Sequence, residues 1–152
     1  MKLRSWFIAL SAVLAFSGML SAKDQSKTIT NIKAAIKGET TASAKYAAYA
    51  KKAKEEGFTK VAVLFEAASK SESIHANNHR AVLEQLGETM EAITPEFSVK
   101  STKENLEDAY KGESYEIATM YPEFIKQAQK ENITLALISF NYAYQTEKKH
   151  QG

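Results

Sequence analysis

Two Glu-x-x-His motifs are the clearest candidates for chemistry in this sequence: Glu72 with His75, and Glu147 with His150. Residues three positions apart share one face of an α-helix, so the carboxylate and the imidazole of each motif can bind one metal ion together. This mixture of oxygen and nitrogen ligands suits iron, manganese or zinc. A single motif of this kind on a polar helix is usually solvated surface, so the pattern needs independent support.

An internal repeat supplies that support. Glu39, which follows a glycine, matches Glu113 at a shift of 74 residues. At a shift of 75 residues, Tyr46 matches Tyr121, Glu72 matches Glu147 and His75 matches His150. A single offset of one residue therefore explains the whole pattern. The repeat predicts an all-α, four-helix bundle built from two duplicated helical hairpins.

Turn residues predict the helices that carry these side chains, because only two prolines and six glycines interrupt the chain. Gly57, Gly87 and Asn132 suit the left-handed turn that ends a helix. Ser101-x-x-Glu104 predicts a capping box at the start of another. The predicted helices cover residues 28–56, 58–86, 101–131 and 133 onwards, with Pro122 bending the third. The relative direction of the second and third helices stays open, since the connection could reach about 50 Å and cross the bundle.

The predicted ligands lie at similar depths in the bundle. Counted from the turns at Gly57 and Asn132, their axial positions within each hairpin differ by only roughly 6 Å. A Glu from each of two helices, with Glu-x-x-His from each of the other two, is the ligand set of di-iron and di-manganese bundles. Four ionised carboxylates buried without a metal would be very costly. The repeat therefore predicts six metal ligands: Glu39, Glu72, His75, Glu113, Glu147 and His150.

Glu116 lies outside the repeat, because Ala42 or Ser43 occupies the matching place in the first half. It follows Glu113 by three residues, so we expect it on the metal-facing side as a seventh ligand. The alternative is a surface glutamate on an exposed stripe of the helix.

Two other features lie beside the motifs. His79 is one turn beyond His75, but its polar neighbours lead us to interpret it as solvated and to leave it out of the ligand set. Gly38 and Gly112 each precede a predicted ligand, and close packing beside the site is the expected reason for a glycine inside a helix.

The stretch from Gly112 to Pro122, which reads Gly-Glu-Ser-Tyr-Glu and then Met-Tyr-Pro, resembles the rubrerythrin family, and the similarity extends from about Thr28 to His150. The resemblance implies a ferritin-like fold and a di-iron centre on the seven residues named above, with manganese as an alternative metal. It implies reduction of hydrogen peroxide to water as the activity. An iron-handling ferroxidase and a non-catalytic helical binding module are the competing functions.

The resemblance also implies individual roles. Glu72 and Glu147 would bridge the two ions, and one iron would exchange between Glu116 and His75 as its oxidation state changes. Tyr46 and Tyr121 match tyrosines that donate hydrogen bonds beside the ligands. With Glu116, these two tyrosines are the predicted catalytic residues.

The sequence departs from the family pattern in ways that bear on partners. It contains no Cys, so it lacks the four-Cys rubredoxin domain that usually feeds electrons to the di-iron site, and a separate donor, rubredoxin-like or other, is predicted. The sequence stops two residues after His150, so we expect either a fragment of a longer protein or a fourth helix that a partner completes. A homodimer is expected.

Residues 1–22 have the pattern of a signal peptide: Lys2 and Arg4, an apolar run over 6–19, then small residues. We therefore predict cleavage, export to the periplasm and one mature domain over residues 23–152, with a retained anchor as the alternative. Without Lys2 and Arg4, the 20 basic residues fall to 18 and match the 18 acidic ones. This neutral balance predicts no nucleic-acid partner.

Overall fold

The computed structural model describes residues 26–150, apart from the side chain of His150. The helices are α1 Lys27–Glu55, α2 Thr59–Gln85, α3 Thr102–Tyr115, a π-helical turn Glu116–Met120, α4 Tyr121–Lys130 and α5 Thr134–His150. Because α3, the π turn and α4 are continuous, the described chain forms four helical rods and contains no strand, which confirms the predicted fold class. Among these residues, no helix combines the length and apolar character needed to cross a membrane. The predicted signal peptide lies outside the described residues.

Left-handed residues end three of the helices, as the sequence predicts. The φ angles are 82° at Gly57, 78° at Gly87 and 56° at Asn132. In each turn, the amide of the next residue bonds to a carbonyl five positions earlier, over 2.8 to 3.1 Å. These bonds satisfy carbonyls that have no partner within the helix. Gly and Asn are the residues that reach this conformation at least cost, which is why the helix ends were readable from the sequence.

The π turn gives a structural cause for the offset in the repeat. Tyr46 follows Glu39 by seven positions, whereas Tyr121 follows Glu113 by eight. The amide of Tyr121 bonds to the carbonyl of Glu116, five residues back, so this turn accommodates one residue more than an α-helical turn. The irregularity was expected at Pro122 and lies in the turn just before it. Proline has no amide hydrogen, so the normal bond to the carbonyl four residues back is missing in any case.

Two glutamates at helix ends connect the halves of the repeat. Oε2 of Glu56, after α1, accepts the amide of Thr102 at the start of α3 over 2.9 Å. Oε2 of Glu131, after α4, accepts the amide of Thr28 at the start of α1 over 3.1 Å. The two contacts show that α1 runs antiparallel to the rod formed by α3 and α4. Because α2 is antiparallel to α1, the segment 86–101 must cross the bundle, about 40 Å for a helix of this length.

The apolar core is divided along the bundle axis. One cluster packs around Ile32, Ile36 and Phe140, and the other around Tyr49 and Phe65. On both α1 and α2, the acidic residues of the predicted site lie in sequence between the parts of the helix that join each cluster. Burying a carboxylate is unfavourable by itself, so the free energy gained by packing the two apolar clusters must keep these carboxylates in the interior.

Candidate metal centre

The structure brings the predicted ligand residues together at the middle of the bundle. Glu39 comes from α1, Glu72 and His75 from α2, Glu113 from α3 and Glu147 from α5. All five are buried, with Glu113 the most accessible at 9 % exposure. Glu116 opens the π turn and is partly exposed. The side chain of His150 lies outside the described part of the chain, so its role as a ligand stays a prediction.

These side chains form two groups that share one residue. In the first group, ligand atoms of Glu39, Glu72, His75 and Glu147 all lie within 4.8 Å of one another. In the second group the same limit holds for Glu113, Glu116 and Glu147. Glu147 is therefore positioned to serve both groups, as a bridging carboxylate must. Glu116, the residue outside the repeat, enters the second group as predicted.

His75 is the only imidazole of the first group, and its surroundings are acidic. Nδ1 lies 2.7 Å from Oε1 of Glu147 and 3.1 Å from Oε2 of Glu72. Burial alone would lower the pKa of His75, but the adjacent carboxyl groups of Glu147, Glu39 and Glu72 raise it to about 12. The pKa of Glu72 is also raised, to about 11, mainly by burial, although its hydrogen bond with His75 lowers it. Without a cation, the site therefore retains protons that a metal would displace.

Glu39 provides the clearest test of whether a cation fits. One of its oxygens, Oε1, accepts the hydroxyl of Tyr121, while the buried Oε2 accepts no hydrogen bond. Nδ1 of His75 lies 3.8 Å from this oxygen, beyond hydrogen-bonding distance. A fully buried carboxylate oxygen without a hydrogen bond is costly. A divalent cation among these oxygens and the imidazole would satisfy it, and the donor set suits iron or manganese.

The two predicted tyrosines each reach across the repeat. The hydroxyl of Tyr46, from the first half, donates to Oε1 of Glu113 over 2.8 Å. The hydroxyl of Tyr121, from the second half, donates to Glu39 of the first. Burial and the neighbouring carboxylates raise the pKa of both phenols well above the usual value, so both stay protonated donors. These hydrogen bonds orient the carboxyl groups of Glu113 and Glu39 within the site.

His79 was wrongly interpreted as solvated. It is fully buried, with Nδ1 2.7 Å from Oγ of Ser139 and Nε2 3.1 Å from the hydroxyl of Tyr121. Burial lowers its pKa to about 4. The sequence did carry a signal, because a residue four positions after His75 lies on the same inward face of the helix.

The expectation of close packing at the glycines is also wrong. A Cβ on Gly38 would meet nothing within 4 Å, and one on Gly112 would only reach the hydroxyl of Tyr46 at 3.9 Å. Nothing in the structure explains the glycine at position 38.

An apolar cavity of about 280 Å³ lies next to the second group. Tyr46 and Glu113 line its inner side, and the exposed residues Leu64 and Tyr110 lie at its mouth. A small neutral molecule could therefore approach Glu113 from the surface between α2 and α3.

Comparison with known proteins identifies the family. The family model for rubrerythrin matches residues 30–152 of this sequence. The chain belongs to the rubrerythrin family. Nigerythrin of Nitratidesulfovibrio vulgaris is 41% identical over 124 residues, which cover 81% of this chain and 61% of the relative. A rubrerythrin of Porphyromonas gingivalis is 31% identical over 126 residues, covering 83% of this chain and 63% of the relative. The chain thus spans about three fifths of the length of these curated relatives.

Solved structures agree with this rubrerythrin assignment. The structure of fully reduced, all-ferrous nigerythrin superposes with a TM-score of 0.77 at 36% identity and covers 99% of this chain and 76% of its own. Symerythrin from Cyanophora paradoxa, at 19% identity, gives a TM-score of 0.71 and covers 84% of this chain and 81% of its own. The second likeness concerns the fold alone. The four-helix bundle predicted from the repeat and the ferritin-like fold implied by the resemblance are both confirmed.

Proposed function

We propose that this protein binds two iron ions and uses them to reduce hydrogen peroxide. Membership of the rubrerythrin family supports the di-iron chemistry in general. The proposal of peroxide reduction depends on the position of Glu116. This carboxylate has no counterpart in the first half of the repeat, and it joins Glu113 and Glu147 in the second group. The proposed ligands are Glu39, Glu72, His75, Glu113, Glu116, Glu147 and His150.

Individual ligand roles follow from the geometry and the family resemblance. Glu147 is proposed as a bridge because it belongs to both groups. Glu72 is proposed as the second bridge because the family resemblance implies it. Glu116 and His75 are proposed as alternative ligands for one ion on the family resemblance, and they belong to different groups that share Glu147.

The chain's own residues would manage the protons of the reaction. When bound, two ferrous ions supply the two electrons that, with two protons, convert one hydrogen peroxide molecule into two waters. Burial and the neighbouring carboxylates raise the pKa of Glu116 well above its usual value, so its carboxyl can hold a proton beside the second group. Tyr46 keeps Glu113 oriented at the end of the cavity. A peroxide molecule entering through the cavity would arrive at Glu113, and Glu116 belongs to the same group of carboxyls.

The partners and the location of the protein are part of the same proposal. Electrons would come from a separate donor, rubredoxin-like or other, and manganese could replace iron. Exposed apolar side chains on α2 and α5, among them Ile74, Ile138 and Tyr142, support a homodimer, which light scattering in solution would test. Export with cleavage after residue 22 would be tested by the mass of the protein recovered from the periplasm.

The decisive experiment compares two oxidants. The iron-loaded protein is reduced anaerobically and mixed with hydrogen peroxide or with oxygen, while the absorbance of the oxidised centre is followed. We expect fast oxidation by peroxide and slow oxidation by oxygen. The opposite order would favour a ferroxidase, and a protein that retains neither iron nor manganese would favour a helical binding module.

A further inference from the structure

Four side chains form a continuous hydrogen-bonded chain that ends at the proposed metal site. Ser139 contacts His79, His79 contacts Tyr121, and Tyr121 contacts Glu39. Glu39, Tyr121 and His79 are fully buried, and Ser139 is 7 % exposed. The residues come from α1, α2, α4 and α5, so this row of hydrogen-bonded side chains connects all four rods of the bundle.

The direction of these hydrogen bonds is determined by the number of protons. The phenol of Tyr121 has one hydrogen, and it is donated to Oε1 of Glu39. The phenol oxygen can therefore only accept from His79, so Nε2 of His79 must carry a hydrogen. In the neutral ring Nδ1 is then an acceptor, and its partner is the hydroxyl of Ser139, 2.7 Å away.

We infer that His79 is a positioning residue for the metal site, acting through Tyr121 on Glu39. With its oxygen occupied by the N–H of His79, Tyr121 can only direct its hydrogen at Glu39. That bond holds Oε1, so that Oε2, which accepts no hydrogen bond, faces His75. The inference rests on the proposed role of Glu39 as a ligand and adds a residue that touches no ligand itself.

The other half of the repeat has a different arrangement. Tyr46 also donates to a ligand, Glu113, but its ring packs against Tyr49 and Phe65 and borders the cavity. The side of the site near Glu39 is therefore held by a buried polar chain, and the side near Glu113 borders an opening.

The first test determines the tautomer of His79 in the wild-type protein. With ¹⁵N-labelled histidine and diamagnetic Zn²⁺ in the site, long-range ¹H–¹⁵N spectra distinguish a hydrogen on Nε2 from one on Nδ1. We expect the Nε2–H form for His79. An Nδ1–H tautomer would overturn the inference, and no variant has to fold for this result.

The second test uses matched variants and Co²⁺ affinity. His79→Leu removes the donor, whereas His79→Gln keeps an N–H at a similar distance. We expect His79→Leu to weaken binding of the tighter ion by roughly 10-fold, the low end of the effect for partners of metal ligands, and His79→Gln to restore most of it. In a Tyr121→Phe background the two variants should bind equally, because the acceptor is gone.

The outcomes separate this inference from the proposed function. If His79→Leu lowers the melting temperature of the metal-free protein but leaves Co²⁺ affinity unchanged, His79 is only a core residue and the inference is overturned. If the wild-type protein binds no divalent ion, the proposed function fails, and this inference fails with it. If the Co²⁺ affinity depends on His79 but the reduced protein reacts slowly with hydrogen peroxide, the inference is supported and only the proposed peroxidase activity is rejected.

Discussion

Oε1 of Glu147 lies 2.7 Å from Nδ1 of His75, so a close ion-pair contact joins the metal motifs of the two halves of the repeat. Glu72 and Glu39 lie around the same nitrogen, at 3.1 and 3.8 Å. A protonated imidazole among three carboxylates neutralises part of the negative charge that bound cations would otherwise neutralise. Metal binding must therefore compete with protons.

Loading with a divalent cation should release protons. The pKa of His75 is raised to about 12 and that of Glu72 to about 11, so both carry a proton at neutral pH, and each must lose it to bind a metal. Calorimetric titration with Zn²⁺ at neutral pH, in two buffers of different ionisation enthalpy, should give different heats, because the buffer takes up the released protons. Affinity should also rise with pH. Equal heats in the two buffers would contradict this account.

Glu116→Ala should preserve metal binding and slow the reaction with peroxide. The first group, with Glu39, Glu72, His75 and Glu147, does not include the deleted carboxyl, so at least that ion should stay. We expect peroxide reduction to slow by about 10-fold or more, the usual effect of removing a group that supports a metal site. Stopped-flow oxidation of the reduced protein measures the rate. Glu123→Ala, an exposed acid further along the same rod, is the control and should react like wild type.

The helices were predictable because their ends depend on local residue chemistry. Gly57, Gly87 and Asn132 adopt the left-handed conformation that few other residues tolerate. The predicted capping box of Ser101 and Glu104 is present. It was also predictable from local residue chemistry, because both partners lie within one helical turn. The crossover of residues 86–101 was not predictable from spacing, because a connection of that length can either cross the bundle or return. Its direction follows from the long-range contacts of Glu56 and Glu131.

The site was predictable where the repeat constrained it. The repeat predicted that Glu39, Glu72, His75, Glu113 and Glu147 would converge, and in the structure they do. Sequence reasoning misses His79 because its polar neighbours Asn77 and Asn78, which lie on the outer face of α2, indicate a solvated segment, although the helical period places His79 on the inner face. The π turn was missed because a one-residue offset specifies an insertion but not the backbone conformation that absorbs it. A kink at Pro122 would have explained the same offset.

Glu131→Gln should destabilise the folded protein by about 1 kcal/mol, the typical cost of losing a helix cap. The carboxylate accepts the amides of Lys27 and Thr28 at the start of α1 and the hydroxyl of Ser26. Gln keeps one oxygen but loses the charge that favours a helix N-terminus. Urea unfolding of the metal-free protein measures the change. Glu55→Gln, an exposed residue at the end of α1, should change the free energy of unfolding far less.

The caps should also make the fold sensitive to acid. Partial burial tends to raise the pKa of Glu131, but hydrogen bonds from Ser26 and Thr28 lower it to about 2. Hydrogen bonds from Thr102 likewise lower the pKa of Glu56 to about 2. A lowered folded-state pKa means that the stabilisation is complete above the usual value of 4.5 and is lost as pH falls from there towards 2. The stability gap between wild type and a Glu56→Gln, Glu131→Gln variant should therefore close in that range. A gap of constant size at all pH values would refute the mechanism.

Deleting Ala118 should leave the bundle intact. Ala118 is exposed within the π turn, and its removal restores between Glu113 and Tyr121 the seven-residue spacing that the first half has between Glu39 and Tyr46. An α-helical turn can then replace the π turn without rotating either flanking helix. Deleting the exposed Glu107 from α3 has no such compensation, because it rotates the start of α3 by about 100° relative to Glu113 and removes Thr102 from Glu56. Circular dichroism should show native helicity and a similar melting temperature for the first deletion and a large loss for the second. Comparable losses in both would mean that the π turn is not the site of the extra residue.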